Sequence, residues 1–346
     1  MPHDIQKEDA CSTMETRIKE RYNQAILGEA MQRHGIAPDQ IHLLDGFESF
    51  MYEFERGSAA YILRIGHTFR RSEALIQGEV DWINYLAAGG ATVARAVLSE
   101  RGNLVESIDD GQGEQFLVTA FEKARGRPPW EVGWTDDLFE TYGQLLGRMH
   151  ALTRQYEPAK PAWRRPEWDD DIMLEVEGYL PASEAIVVEN FWRLMDHLAT
   201  LPTDAGSYGL IHFDAHGGNL LIDPEGTITL FDFDDCNYSW FANDIAIVLF
   251  YIILDRALGP GATERFMTHF LHGYRRENQL DAAWLHEIPQ FLRLREIDLY
   301  AIIHRSFDVE NLDNPWCARF MQNRKQRIET GVPFVDFDFD SLAHLL

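Results

Sequence analysis

Cysteine is scarce: three residues among 346, Cys11, Cys236 and Cys317, lie far apart with no Cys-x-x-Cys pair. An odd, scattered set supports neither a disulfide framework nor a zinc ribbon, so reduced thiols are expected. Basic clusters are equally short, none larger than pairs such as Arg70-Arg71 or Arg275-Arg276, in a chain with 31 Lys+Arg against 56 Asp+Glu. Wrapping nucleic acid needs many phosphates neutralised over a broad surface, which a net charge of −25 opposes, so nucleic acid is excluded as a partner. Long hydrophobic runs are missing too. The best, DIAIVLFYIIL (244–254), is about half of the roughly 20 residues a membrane helix requires, and MPHDIQKEDACS at the start has no apolar signal core. The expectation is a cytoplasmic protein without membrane contact. Glycine is also thin in LDGFESFMYEF, which has Gly46 alone.

What is present suffices for a large core: 45% of the residues are apolar and 12% aromatic. From 40 to 121 the chain shows short alternating or β-rich runs, HLLDGFESFMYEFE, SAAYILRIG, GNLVESI and EQFLVTAF, separated by Gly and Asp-Gly turn signals. One helical stretch interrupts them, 72–89, with Ile76, Val80, Ile83, Tyr85 and Leu86 at helical spacing. After ARGRPPW (124–130) the pattern turns helical, over 136–156, 183–201, 243–258, 263–278 and 284–309. The spacing therefore predicts an α+β chain in two lobes. Residues 1–124 form a small antiparallel sheet with one packed helix, and residues 125–346 form a larger, mostly helical lobe.

A single β-like insertion stands out in the second lobe: HFDAHGGNLLID (212–223), a PEG turn, and TITLFDFD. As a hairpin it sets Asn219, at the start of one strand, beside Asp232, at the end of the next. Neighbouring side chains in such a pair lie about 5 Å apart, close enough for an amide oxygen and a carboxylate to hold one hard cation such as Mg2+. Asp214 precedes Asn219 on the feeding loop and projects to the same point, where a carboxylate suits a base or a hydroxyl-orienting group in phosphoryl transfer. His212 and His216 in HxDxH allow a second reading, a zinc or iron site with Asp214. Asp234 and Asp235 either join the metal shell or cap the turn after the strand.

The pattern H-x-D-x-x-x-x-N with an aspartate thirteen residues on, together with LFDFDDCNYSWFANDIA, resembles the aminoglycoside phosphotransferase and choline kinase branch of the protein-kinase-like superfamily. That resemblance implies a bilobal protein-kinase-like fold using ATP and Mg2+ to phosphorylate a hydroxyl of a small molecule. It makes Asp214 the catalytic aspartate, Asn219 and Asp232 the metal ligands, His212 a brace for the loop and Asp244 its buried support. It also implies that Arg64 in YILRIG holds the nucleotide phosphates, that Glu79 on the following helix positions it, that Ser49 and backbone N–H groups reach phosphate, and that adenine meets main-chain groups near Ala120 and Glu122 in VTAFEKA. Three departures are visible: arginine for the usual lysine at 64, Phe213 for glycine, and Gly218 for proline. Homoserine-type kinases and nucleotide-binding pseudokinases share the pattern. A charge asymmetry bears on the acceptor. Residues 1–124 hold 12 Lys+Arg against 20 Asp+Glu, leaving 19 against 36 in 125–346, and EWDDDIMLEVE (167–177) is the densest run. Either this acidity serves solubility, or it draws a cationic amino-alcohol or aminosugar acceptor. The tail VDFDFDSL (335–342) reads as an edge strand or a disordered end.

Overall fold

A computed structural model describes residues 16–44, 46, 48–170 and 176–346. Two helices, α1 (Thr16–Arg21) and α2 (Gln24–Arg33), precede a six-stranded sheet and bury Ile18, Ile26 and Ala30 against it. Asn23 caps α2 by accepting the Ala25 N–H at 2.9 Å. The sheet comprises β1 (Ile41–Leu44), β2 (Phe50–Arg56), β3 (Ala59–His67), β4 (Ala96–Val97), β5 (Val105–Asp109) and β6 (Gln115–Glu122). It is antiparallel throughout, in the order β1-β2-β3-β6-β4, with β5 also pairing β6.

Helix α3 (Glu73–Ala88) packs on this sheet, capped by Ser72, whose hydroxyl accepts the Leu75 N–H at 3.3 Å, and ended by Gly89. Its buried stripe, Ile76, Val80, Ile83 and Leu86, is the one its spacing predicts, and Glu79 lies buried on the same side.

The helical lobe opens with a single turn, α4 (Pro129–Val132), followed by α5 (Asp136–Thr153), a short α6 (Val176–Tyr179) and α7 (Ala185–Leu198). Two antiparallel pairs follow: β7 (Tyr208–Ile211) with β10 (Asn237–Trp240), and between them β8 (Leu220–Ile222) with β9 (Ile228–Leu230). Then come α8 (Phe241–Leu254), α9 (Ala262–Tyr274), α10 (Ile288–Ser306), α11 (Pro315–Met321) and α12 (Arg324–Glu329). Helix α8 is apolar on nearly all sides and runs through the middle of the core, where a helix without a polar face must sit. Helices α5 and α9 touch backbone to backbone: a β-carbon at Gly143 would lie 1.9 Å from the Phe270 carbonyl oxygen, and one at Gly273 1.9 Å from that of Glu140. Among the described residues no helix is long and apolar enough to cross a membrane.

Several sequence expectations are corrected. The 212–223 stretch does not stand alone as a hairpin, because β7 and β10 frame it as a second pair. The first hairpin strand starts at Leu220, with Asn219 closing a 3-10 turn (Gly217–Asn219). The acidic tail is neither strand nor disordered end: Phe339–Leu345 forms a 3-10 turn whose Phe339 and Leu342 are buried, so the alternating aromatics anchor the chain end to the core. Cys236 and Cys317 are free, as expected, whereas Cys11 lies outside the described residues.

Candidate active site

Strand β7 delivers the chain into a loop held from below by Asp244, on the first turn of α8. One carboxylate oxygen of Asp244 accepts the His212 N–H at 3.1 Å and the other accepts the Phe213 N–H at 2.9 Å. Behind Asp244 stands buried His150, 3.1 Å from it through Nε2, with Nδ1 2.8 Å from the Tyr274 hydroxyl. Burial lowers the pKa of His150, so the ring is neutral and donates through Nε2. His212 is likewise kept neutral by burial. Its Nε2 donates to the Phe231 carbonyl at 3.1 Å, and its Nδ1 accepts the Asp214 N–H at 3.2 Å. Both ring nitrogens thus serve the backbone, and neither is left to hold a metal as the HxDxH reading would require.

Phe213 sits at φ 67°, in the left-handed region that glycine adopts most readily. A bulky side chain there costs roughly 1–2 kcal/mol, offset by the bond from its N–H to Asp244.

The carboxylate of Asp214 is gripped on both oxygens. Oδ2 accepts Asn219 Nδ2 at 2.9 Å and lies 3.3 Å from His216 Nε2, while Oδ1 accepts from the Arg295 guanidinium. Burial alone would raise its pKa, but His216 and Arg295 hold it well below the usual carboxylate range. Because Asn219 also donates through Nδ2 to the Asp214 carbonyl at 3.0 Å, its amide oxygen is the end left over for a cation. Across the hairpin, the Phe231 N–H bonds to the Asn219 carbonyl at 2.9 Å, which sets Asp232 one residue beyond that pairing. Asp232 is pushed up to about 7, first by burial and then by like charges on Asp234, Asp214 and Asp235, against the pull of Arg64. Crowded carboxylates with an amide oxygen nearby suit a hard divalent cation, so these residues fit Mg2+.

In the sheet lobe, Arg64 on β3 and Glu79 on α3 form a two-pronged ion pair, 2.9 and 2.6 Å, buried between strand and helix. Arg64 also lies 3.8 Å from Asp234, and Ser49, Arg64, Gly66 and Asp234 line one small cavity. Asp234 is neither a simple cap nor free. Arg70 and Arg71 approach it at 3.5 Å, and Arg71 reaches Asp235 at 2.8 Å, so these pairs tie the base of α3 to the loop that follows β9. The stretch expected to meet adenine is partly engaged in the sheet. Ala120 is paired with both Leu63 and Val97 inside the sheet, and the Glu122 N–H already bonds to the Arg95 carbonyl at 2.8 Å. Strand β4 covers this stretch, and the chain leaves the sheet only after Lys123, whose N–H still bonds Ala60 at 3.1 Å.

A family model described as a phosphotransferase enzyme family, APH, matches residues 40–285, more than half of the chain. The chain belongs to this phosphotransferase family. An amicoumacin kinase of Bacillus subtilis (strain 168) is 40% identical over 326 residues, covering 93% of this chain and 96% of that protein. The solved amicoumacin kinase hAmiN, in complex with AMP-PNP, Ca2+ and Ami, superposes with a TM-score of 0.89 over 95% of this chain and all of that one, at 40% identity. A microcompartment-associated aminopropanol kinase superposes at 0.71 and 25% identity, over 90% of this chain and all of that one. The phosphotransferase is a small-molecule kinase with the bilobal fold.

Sequence reasoning missed the far wall of the site. Arg295 on α10 donates to both Asp214 and the Tyr251 hydroxyl on α8, and its Nη1 donates to Asp298 Oδ2 at 2.9 Å. One signal was present: Phe291, Arg295 and Leu299 lie one turn apart, so a charge interrupts the buried stripe of α10. The acidic run 167–177 does less than its composition promised. Residues 171–175 lie outside the described residues. Of the rest, Glu167 pairs with Arg164 at 2.5 Å, Asp170 accepts the Glu167 N–H at 2.8 Å, and Glu177 accepts Trp192 Nε1 at 2.9 Å.

Proposed function

We propose that this kinase transfers the γ-phosphoryl group of ATP, with Mg2+, to a hydroxyl of an amine-bearing small molecule, an amino-alcohol or aminosugar. The observation that carries the reading is the convergence of Asp214, Asn219 and Asp232 at one loop and hairpin, facing the buried Arg64–Glu79 pair. Residues 1–124 serve as the nucleotide lobe and 125–346 as the acceptor lobe. The solved relative's complex with AMP-PNP and Ca2+ supports nucleotide and divalent cation. The names of the amicoumacin and aminopropanol kinases support a small acceptor.

Arg64, fixed by Glu79, presents its guanidinium to the nucleotide phosphates, with Ser49 on the neighbouring turn. The amide oxygen of Asn219 and the carboxylate of Asp232 would hold Mg2+, which would supply positive charge to the phosphate oxygens. Asp214 accepts a hydrogen bond from the acceptor hydroxyl and orients it. The acceptor oxygen forms its bond to the γ-phosphorus as the bond to the bridging oxygen of ADP breaks, and the hydroxyl proton passes to the Asp214 carboxylate. Held well below the ordinary carboxylate range, Asp214 is a weak base, so orientation is its larger contribution and the proton moves late. The amine of the acceptor is drawn by the carboxylates on this side of Asp214, among them Asp298 and Asp235.

The test is ADP release from ATP over a panel comprising amicoumacin, aminopropanol, choline, homoserine, an aminoglycoside and a sugar. Turnover led by an amine-bearing alcohol is expected. Preference for a neutral or anionic acceptor defeats the cationic reading, and no ADP release with any acceptor defeats phosphoryl transfer itself.

A further inference from the structure

Arg295 is costly where it stands. Its side chain is 9% exposed, it sits in the buried stripe of α10, and its Nε has no hydrogen-bond partner among the described residues. Burying a guanidinium with one donor unsatisfied is less favourable than filling the position with an apolar residue of similar volume, so packing does not explain it. What the placement achieves is contact with Asp214. One terminal nitrogen donates both to Asp214 Oδ1 and to the Tyr251 hydroxyl, 2.8 Å away, and the other donates to Asp298 at 2.9 Å. Tyr251 is itself fixed by its ring contact with His216, at 4.7 Å between centroids, and His216 faces the other oxygen of Asp214.

We propose that Arg295 is a positioning residue for phosphoryl transfer, which with Asn219 locks the rotation of the Asp214 carboxylate so that one lone pair stays aimed at the acceptor hydroxyl. Asn219 holds Oδ2 from the hairpin side and Arg295 holds Oδ1 from α10, so the carboxylate is clamped by two elements that meet only in the folded lobe. The guanidinium is braced by Tyr251 and Asp298, so it arrives with its geometry already set. Misplacing a reacting group by about 1 Å costs on the order of 100-fold in rate, which sets the scale of the effect. This inference rests on the role given to Asp214 above.

The test uses the full-length protein, ATP and the amine-bearing alcohol that wild type turns over fastest in the panel. Arg295→Met should lower kcat about 10- to 100-fold while the KM for ATP stays within about twofold, and Arg295→Lys should recover part of the loss, because it keeps the charge without the fork. In an Asp214→Asn background the same Arg295→Met change should alter the residual single-turnover rate by less than about twofold, since a residue acting through Asp214 has nothing left to position. A kcat for Arg295→Met within twofold of wild type overturns the proposal, and so does an equal loss in both backgrounds. Should Arg295→Met fail to fold, Tyr251→Phe takes its place, with a several-fold fall in kcat and the same criterion of non-additivity. Undiminished turnover by Asp214→Asn would defeat the functional reading instead, and is a separate outcome from failure of the Arg295 variants.

Discussion

Asp232 is the residue at which electrostatics and cofactor meet. Its carboxyl is raised from 3.8 to about 7 in the folded chain without metal, so the native state binds its proton more tightly than the unfolded chain does. Stability from this group is complete below the unfolded value and is lost as pH climbs to about 7, by at most about 1.4 kcal/mol per pH unit. Asp232→Asn should therefore melt above wild type at pH 8 when nucleotide and metal are absent, and near it at pH 4. A variant that melts below wild type at pH 8 would show that the crowding of carboxylates is relieved some other way. The same substitution should abolish the dependence of ATP affinity on Mg2+, measured by calorimetry. Asn219→Ala should raise the Mg2+ concentration needed for half-maximal activity without abolishing the Mg2+ dependence, because the carboxylate remains, and should also lower kcat, because the Nδ2 bond that holds Asp214 Oδ2 is lost. Wild-type ATP affinity indifferent to Mg2+ would remove the metal assignment.

Among the elements, local signals and distant ones separate cleanly. Helix α3 was legible because its stripe, its Ser72 cap and its Gly89 end lie within eighteen residues, and β8 and β9 because a short turn joins them. The pairing of β7 with β10 was not legible, since Tyr208 meets Trp240 across a connection that contains the whole catalytic loop. Arg295 escaped for the same reason, its partner Asp214 lying 81 positions away. The spacing of Asp214, Asn219 and Asp232 is local enough to single them out as one candidate site, whereas the bond from the Glu122 N–H to the Arg95 carbonyl, next to the two-residue strand β4, left no local signal. Packing offers its own test. Gly273→Ala forces α9 away from the Glu140 carbonyl and should destabilise the protein by about 1–3 kcal/mol, lowering Tm by several degrees. An unchanged Tm would mean the two helices do not cross backbone to backbone.

On the scale of the whole molecule, the site is assembled from both lobes. The Thr92 carbonyl accepts the Leu230 N–H at 3.0 Å and the Ala94 N–H bonds the Leu230 carbonyl at 2.9 Å, so the hairpin between Asn219 and Asp232 is stitched to the chain just beyond α3. A net charge of −25 surrounds this assembly. The KM of an amine-bearing acceptor should rise several-fold between low salt and about 0.5 M, with the KM for ATP moving less. An acceptor KM that ignores salt would reduce the acidity to a solvated surface. The most direct measurement is a side-by-side comparison of wild type and Asp214→Asn for ADP release with the preferred acceptor and for ATP affinity. Turnover should fall by several orders of magnitude while ATP affinity stays within a few-fold, because Asp214 orients the hydroxyl and does not hold the nucleotide. Turnover by Asp214→Asn at a tenth of the wild-type rate would contradict the account.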